Sequence, residues 1–435
     1  ISELPLLFGI DAERGLGQML SGATYFPFLM SQGAINDPEM IKKQAEITAE
    51  EMLYAGLNLI FAPVLDVNTN PKNPIINVRS FGDNPLMVSK LGLQFINEIQ
   101  KHGILSCCKH FPGHGSTSED SHAFLPVVED SYEELLSEDL IPFISAIEGK
   151  VASIMPAHIS FPNIDKSGQP ATLSKIMLQD VLRQRLGFNG LIISDSFKMG
   201  ALNQFGDDSQ NAFKALTAGV DIILDPQDLF DLIKYLSTKI NSIEKRINNS
   251  LNRIFYYKKF IYPGAYDGVA PDFENNKKFS EIISKKSVCM LKGRPLINSN
   301  AMVYIFDSDK KKPHNFDLFL DCIEAEKINV VRKFYHPHIV DIPFDTSLIF
   351  ILSTTVSAWT KQFDVPKEAE DFIKSFKDCK NEKALLLFGS PYPAERFIFF
   401  DTIILSFDST SDCQRSALDV LTGKLKPEGK LSIDL

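Results

Sequence analysis

The feature that most constrains this chain is a repeated alternation between residues 5 and 240, in which short apolar runs are separated by helix-length amphipathic segments. The runs are Pro5–Asp11, Leu57–Asp66, Gly103–His110, Ala152–His158, Gly190–Asp195 and Val220–Asp225. Segments such as Pro38–Tyr54, Tyr132–Ile147 and Ser174–Leu186, the last with Ser174 as N-cap, carry the helical period between them. Strand, helix, strand, helix predicts a parallel sheet with right-handed crossovers. A barrel and an open doubly wound sheet both satisfy that pattern. The placement of polar residues favours the barrel, because every run ends on an acid or a histidine, and strand C-termini are where barrel active sites lie. For Asp225, followed by Pro226, helix capping is an equal alternative. Six strands are visible where a full barrel has eight. The chain opens at Ile1 rather than Met, so the first unit, with any targeting signal, is expected upstream.

From Thr238 to Asn276 the chain reads as a basic amphipathic helix (Ile243, Ile247, Leu251, Ile254) and a turn at Tyr262-Pro263-Gly264. A second alternation follows, with strands at Ala301–Phe306, Ile328–Phe334, Leu348–Ser353, Ala384–Gly389 and Thr402–Phe407 and a helix at Glu368–Phe376. It contains neither G-x-G-x-x-G nor G-x-x-x-x-G-K-[ST], which predicts a Rossmann-like αβα sandwich without a nucleotide site. The expected organisation is a TIM-like (β/α)8 barrel over 1–240, a linker helix and loop over 241–285, and the sandwich over 286–435. Trp359, the single tryptophan, reads as a core residue of the second domain.

Composition narrows the function classes. With 45 Lys+Arg against 55 Asp+Glu the formal charge is −10, which opposes phosphate attraction and argues against a nucleic-acid partner. No apolar stretch reaches the roughly 20 residues that span a bilayer. The six cysteines show no C-x-x-C or zinc-finger spacing. Adjacent Cys107 and Cys108 would point to opposite faces of a strand, as small buried hydrophobes.

The densest chemistry lies in Lys109-His110-Phe111-Pro112-Gly113-His114-Gly115-Ser116-Thr117-Ser118-Glu119-Asp120-Ser121-His122. This segment leaves a strand end and enters a Gly- and Ser-rich loop, joining a rigid base to a mobile flap. Asp120 can hold one ring nitrogen of His122 and leave the other free for proton transfer, although D-x-H pairs also occur in loops without any role. In Gly190–Met199, an apolar strand ends abruptly on Asp195. A carboxylate there can attack carbon and form a covalent ester, or it can cap a helix.

These residues resemble glycoside hydrolase family 3, most closely its bacterial β-N-acetylglucosaminidase branch. K-H-F-P-G-H-G followed by D-S-H at 120–122 matches that branch's signature. Ile10-Asp11-Ala12-Glu13, Phe61-Ala62-Pro63-Val64-Leu65-Asp66, Arg79-Ser80-Phe81, Met155-Pro156-Ala157-His158, Ala171-Thr172-Leu173-Ser174 and the S-D-x-x-x-M of 194–199 extend the match, and Pro427-x-Gly429-Lys430-Leu431 resembles the family's C-terminal close. The resemblance implies a retaining exo-β-N-acetylglucosaminidase acting on GlcNAc-containing oligosaccharides such as peptidoglycan fragments. Asp195 would be the nucleophile and His122 the general acid/base, with Asp120 tuning it, where most retaining glycosidases use two carboxylates. Asp11, Arg79, Lys109 and His110 would bind the sugar, and His158 and Met199 would line its pocket. No metal or cofactor is implied, and the cell envelope or periplasm is favoured over the cytoplasm.

The chain departs from the family pattern at Glu13-Arg14-Gly15-Leu16-Gly17, at Met19 in place of an Arg, and at Ser196 in place of the second Asp of S-D-D. Because the acid/base pair lies in the barrel, the second domain is expected to support and not to catalyse. A phosphorylase on the same fold is the alternative, since a histidine tolerates a phosphate nucleophile that a carboxylate would repel. From other classes, a metal-dependent barrel hydrolase and an inactive sugar-binding protein are the remaining readings.

Overall fold

A computed structural model describes residues 5–119, 125–261, 268–296, 300–308, 314–325, 329–334, 342–343, 345–354 and 364–435. Asp120, His122, Trp359 and the Tyr262–Gly264 turn lie outside the described residues. The chain divides into two compact units. The first comprises residues 1–25, 37–76 and 82–273, and the second 26–36, 77–81 and 274–435.

The first unit is built on a six-stranded parallel sheet in sequence order: β1 (Gly9–Ile10), β2 (Leu59–Ile60), β3 (Leu105–Phe111), β4 (Ser153–Pro156), β5 (Leu191–Ser196) and β6 (Ile222–Leu224). Sequential parallel neighbours with intervening helices form a half-barrel of the TIM-like kind. Alternation decides what faces the middle. Leu105 and Cys107 from β3 cluster with Leu191 and Ile193 from β5, and continuing that period of two brings Lys109 and Asp195 to the same face at the strand ends. Cys107 and Cys108 are fully buried, and burial pushes the Cys107 thiol up to about 12, so it behaves as a packing residue.

The helices start where side chains satisfy their first amides. Asp37 accepts from Glu39 N at 3.0 Å, Asn84 from Leu86 N and Met87 N at 3.0 and 3.1 Å, and Ser174 Oγ from Met177 N at 3.1 Å. The segment after Ser174 is a wide π-type helix, Ile176–Arg185. The expected single helix Tyr132–Ile147 is two, Tyr132–Ser137 and Leu140–Glu148, broken at Glu138-Asp139. A helix of 30 residues, Leu229–Lys258, runs through residue 240 and is tied to the first unit by buried Asp221. That carboxylate accepts from Arg246 at 3.0 Å, Ser250 at 2.7 Å and Arg183 at 2.8 Å. No helix among the described residues is long and apolar enough to cross a membrane.

The second unit holds β7 (Cys289–Lys292), β8 (Asn300–Asp307), β9 (Asn329–Phe334), β10 (Ser347–Thr354), β11 (Lys383–Gly389) and β12 (Thr402–Ser406), ordered β7-β12-β11-β10-β8-β9. All pair in parallel except β7, an antiparallel edge against β12. One face carries an aromatic cluster in which Tyr304 stacks on Phe350 at 5.0 Å and Phe376 meets Phe350 edge-on at 5.3 Å. The other face buries Val303, Ile349, Ile351, Leu386 and Phe388. A sheet buried on both faces is the middle layer of an αβα sandwich. The segments 26–36 and 77–81 contribute Met30, Ala34 and Val78 to the aromatic side.

Candidate active site

At the carboxyl ends of β1 and β3 lies a buried ionic knot. Lys109 Nζ donates to Asp11 Oδ1 at 2.7 Å and contacts Glu13 Oε1 at 2.8 Å. The Lys109 and Glu13 side chains are almost fully buried, while the Asp11 side chain is 51% exposed. Two carboxylates on one ammonium satisfy the desolvated cation, and they leave Asp11 as the member that reaches solvent and can accept from a ligand's hydroxyl.

The next residue, His110, is oriented by Asp66, which is completely buried. His110 Nδ1 lies 2.7 Å from Asp66 Oδ2, and Asp66 Oδ1 accepts from the backbone N–H of His110 at 3.1 Å and of His114 at 2.8 Å. Burial works to raise the Asp66 pKa, but the two histidines and these donors outweigh it and hold the carboxyl below its ordinary range. With Nδ1 engaged, the His110 ring presents Nε2 as its other polar atom.

Asp195, the penultimate residue of β5, is half-buried and accepts from the backbone N–H of Ser196 at 2.7 Å. Desolvation opposes its ionisation; the field of His110, His158 and Lys109 and the Ser196 amide prevail, and its pKa is lowered. A carboxylate kept ionised in a partly dry site is what a nucleophile requires. His158 is buried and fixed at both ring nitrogens, with Nδ1 2.8 Å from Thr172 Oγ1 and Nε2 3.2 Å from the Ser196 carbonyl oxygen. Ser196 Oγ donates to Asp225 Oδ2 at 3.1 Å. Met199, also buried, precedes the turn Gly200–Phe205.

The loop after β3 is held by side chains over residues 114–117. Asn73 Nδ2 donates to the carbonyls of His114 at 2.7 Å and Gly115 at 3.1 Å, and Asn70 Nδ2 to those of Ser116 at 3.0 Å and Thr117 at 3.2 Å. His114 Nδ1 meets Thr117 Oγ1 at 2.8 Å. A methyl on Gly115 would come within 1.7 Å of the Val67 carbonyl oxygen, so only glycine passes at that point.

Residues 1–256 match the glycosyl hydrolase family 3 N terminal domain. The chain belongs to glycosyl hydrolase family 3. Among relatives of this chain, beta-hexosaminidase A of Pseudoalteromonas piscicida is 36% identical over 274 residues, covering 58% of this chain and 45% of the relative. The beta-hexosaminidase of Idiomarina loihiensis is 36% identical over 255 residues, covering 58% of this chain and 76% of the relative. The chain thus spans about half the length of the first relative and three quarters of the second. A solved family 3 beta-N-acetylglucosaminidase from Paenibacillus sp. str. FPU-7 superposes with a TM-score of 0.84 at 26% identity, covering 99% of this chain and 87% of that one.

Of the family 3 positions named from sequence, the first unit brings Asp11, Lys109, His110, His158, Asp195 and Met199 to or just beyond its strand ends. Arg79 ends the turn Asn77–Arg79, within the segment that belongs to the second unit. The groups that sequence reasoning passed over are Glu13, Asp66, Asn70, Asn73 and Thr172, each of which acts on another site residue. Three of them stood inside recognised motifs, Glu13 in I-D-A-E, Asp66 in F-A-P-V-L-D and Thr172 in A-T-L-S, but without a role. At the departure after Asp11, Arg14 lies 4.3 Å over the Tyr25 ring and Met19 is exposed. Among the described residues no three His, Cys, Asp or Glu side chains converge to hold a metal ion.

Proposed function

We propose that this protein is a retaining exo-acting β-N-acetylglucosaminidase that removes terminal β-GlcNAc from oligosaccharides, peptidoglycan fragments among them. The observation that carries the reading is Asp195: a carboxylate held ionised near a barrel strand's carboxyl end, in the field of His110, His158 and Lys109. An Asp195 oxygen attacks the anomeric carbon while the bond from that carbon to the aglycone oxygen breaks. His122, on the loop that begins at His110, gives the leaving oxygen its proton, and Asp120 steadies the imidazole. Water then yields a proton to His122 and attacks the same carbon, which frees Asp195. Asp11, His110 and the Lys109 ammonium bind the sugar's hydroxyl and acetamido groups, with Arg79 as a further donor and His158 and Met199 as walls. The hexosaminidase names of the relatives support the same substrate class.

Release of 4-nitrophenol from its β-N-acetylglucosaminide tests the reading. Asp195→Asn is expected to lose at least about a thousandfold in turnover, and His122→Ala about a hundredfold or more. Wild-type activity that survives Asp195→Asn overturns the assignment. Sugar 1-phosphate formed when phosphate is added replaces hydrolysis with phosphorolysis at the same site.

A further inference from the structure

Asp139 is a buried carboxyl that the chemistry above does not use. It stands immediately before the helix Leu140–Glu148, where an aspartate ordinarily caps the first amides. Here it makes no capping hydrogen bond. Its side chain turns instead to the loop after β3: a methyl on Gly113 would come within 2.4 Å of Asp139 Oδ1 and 2.8 Å of its Cγ. Gly113 has φ +151, a conformation that favours glycine, so the turn passes directly over the carboxyl. Asp139 is 3% exposed, and Oδ1 has no hydrogen-bond partner among the described residues. The helix start is fixed beneath the turn by Phe143, which meets Phe111 edge-on at 5.5 Å. A buried polar atom left unsatisfied is destabilising, and no cap or ion pair is made by Asp139 among the described residues to offset it.

We propose that Asp139 is a positioning residue of the active site, its carboxyl forming the seat on which the Gly113 turn, between His110 and His114, rests. The charged groups that act on it most are acidic: Glu138 beside it, Asp66 from the segment after β2, and Asp130 before the helix Tyr132–Ser137. Burial first, then these three carboxylates, push its pKa up to about 8. At neutral pH the seat is a carboxylic acid against which Gly113 can lie. Above about pH 8 it becomes a desolvated anion next to Asp66, and the turn must lift or admit water.

Linkage sets the sign of the stability effect. A folded-state pKa raised above the unfolded value gives a stabilisation that is complete below the ordinary carboxyl range and is lost as pH rises through about 8.

The inference rests on the proposed hydrolysis only for its kinetic readout, so the test pairs kinetics with amide exchange. Wild type, Asp139→Asn and Asp139→Ala are compared from pH 6 to 9.5 by kcat and KM, by hydrogen exchange at residues 113–117 corrected for intrinsic rates, and by thermal melting. Asn imitates the neutral acid at every pH. It is expected to fall less in kcat than wild type between pH 7 and 9 and to exchange more slowly at pH 9, and to lack the wild type's decline in melting temperature between pH 6 and 8. Ala removes the seat and is expected to lower kcat about tenfold at pH 7 with KM within about twofold. An Asn variant that matches wild type in exchange and melting across this pH range overturns the proposal, as does an Ala variant with wild-type kcat and exchange. If Ala does not fold, Asn alone decides. Hydrolysis absent from wild type overturns the proposed function, and the exchange and melting comparison then decides the role of Asp139 by itself.

Discussion

Both units place polar groups at the ends of parallel strands, yet among the described residues the two sets are wired differently. In the first unit, Lys109, His110, His158 and Asp195 are buried or half-buried and interlocked, each ring or ammonium answering a carboxylate or a carbonyl. The second unit has its own acid, imidazole and hydroxyl where β8 and β10 end. There, Asp307 Oδ2 and Ser353 Oγ both lie 3.0 Å from the same His314 atom, Nδ1. A proton relay takes the acid on one ring nitrogen and the hydroxyl on the other, whereas here both partners lie at the same nitrogen. Residue types at strand ends are therefore insufficient. What separates the two clusters is which ring atom each partner takes.

That contrast can be broken most directly at Lys109. Lys109→Met leaves Glu13 buried without its ammonium, and losing one partner of a buried ion pair costs about 3–5 kcal/mol. Turnover is expected to fall by at least about a hundredfold, read by steady-state kinetics alongside a urea melt; near-normal values of both would show the knot to be dispensable. Asp66→Asn should lower kcat about tenfold or more by releasing the His110 ring, and it carries a sign in pH. The Asp66 pKa is lowered on folding, so its stabilising contribution is present above the ordinary carboxyl value and is lost as pH falls through the folded one. Wild type should exceed the variant in stability most at pH 7, with the gap closing in acid; a gap that widens in acid would contradict this.

The second unit sharpens the comparison by what it leaves unchanged. Phe350 is fully buried at the centre of the aromatic cluster, and Phe350→Ala should cost about 3–5 kcal/mol in chemical denaturation while folded molecules keep kcat within about twofold. A large fall in kcat at full occupancy of the folded state would give this unit a catalytic share. His314→Ala should do least, altering turnover by less than about twofold, whereas His110→Ala in the same assay should abolish most of it.

How much of this was legible follows separation along the chain. His110, His158 and Asp195 each end an apolar run, with Lys109 one residue before such an end, and a period of two is a local property, so both the strands and their polar tips could be read directly. The partners of those tips could not. Asp66 reaches His110 across 44 residues and Asn73 reaches His114 across 41; no local pattern marks an asparagine as the clamp of a distant loop. The antiparallel strand β7 escaped for a related reason, since a short half-exposed edge strand carries a weak apolar signal. The break at Glu138-Asp139 lies inside an unbroken helical period, and it is the packing of Asp139 against Gly113 that gives the break its meaning.

The sequence by itself determined the family, the two strand-helix alternations and the side chains at the strand ends, because motif identity and hydrophobic period are written in neighbouring residues. Only the tertiary structure decided that Lys109 is shared between Asp11 and Glu13, that Asp66 sets the His110 ring, that residues 26–36 and 77–81 belong to the second unit, and that a buried Asp139 lies beneath the active-site loop. Those outcomes depend on desolvation and on distances between chain-remote atoms, which exist only once the chain has closed on itself.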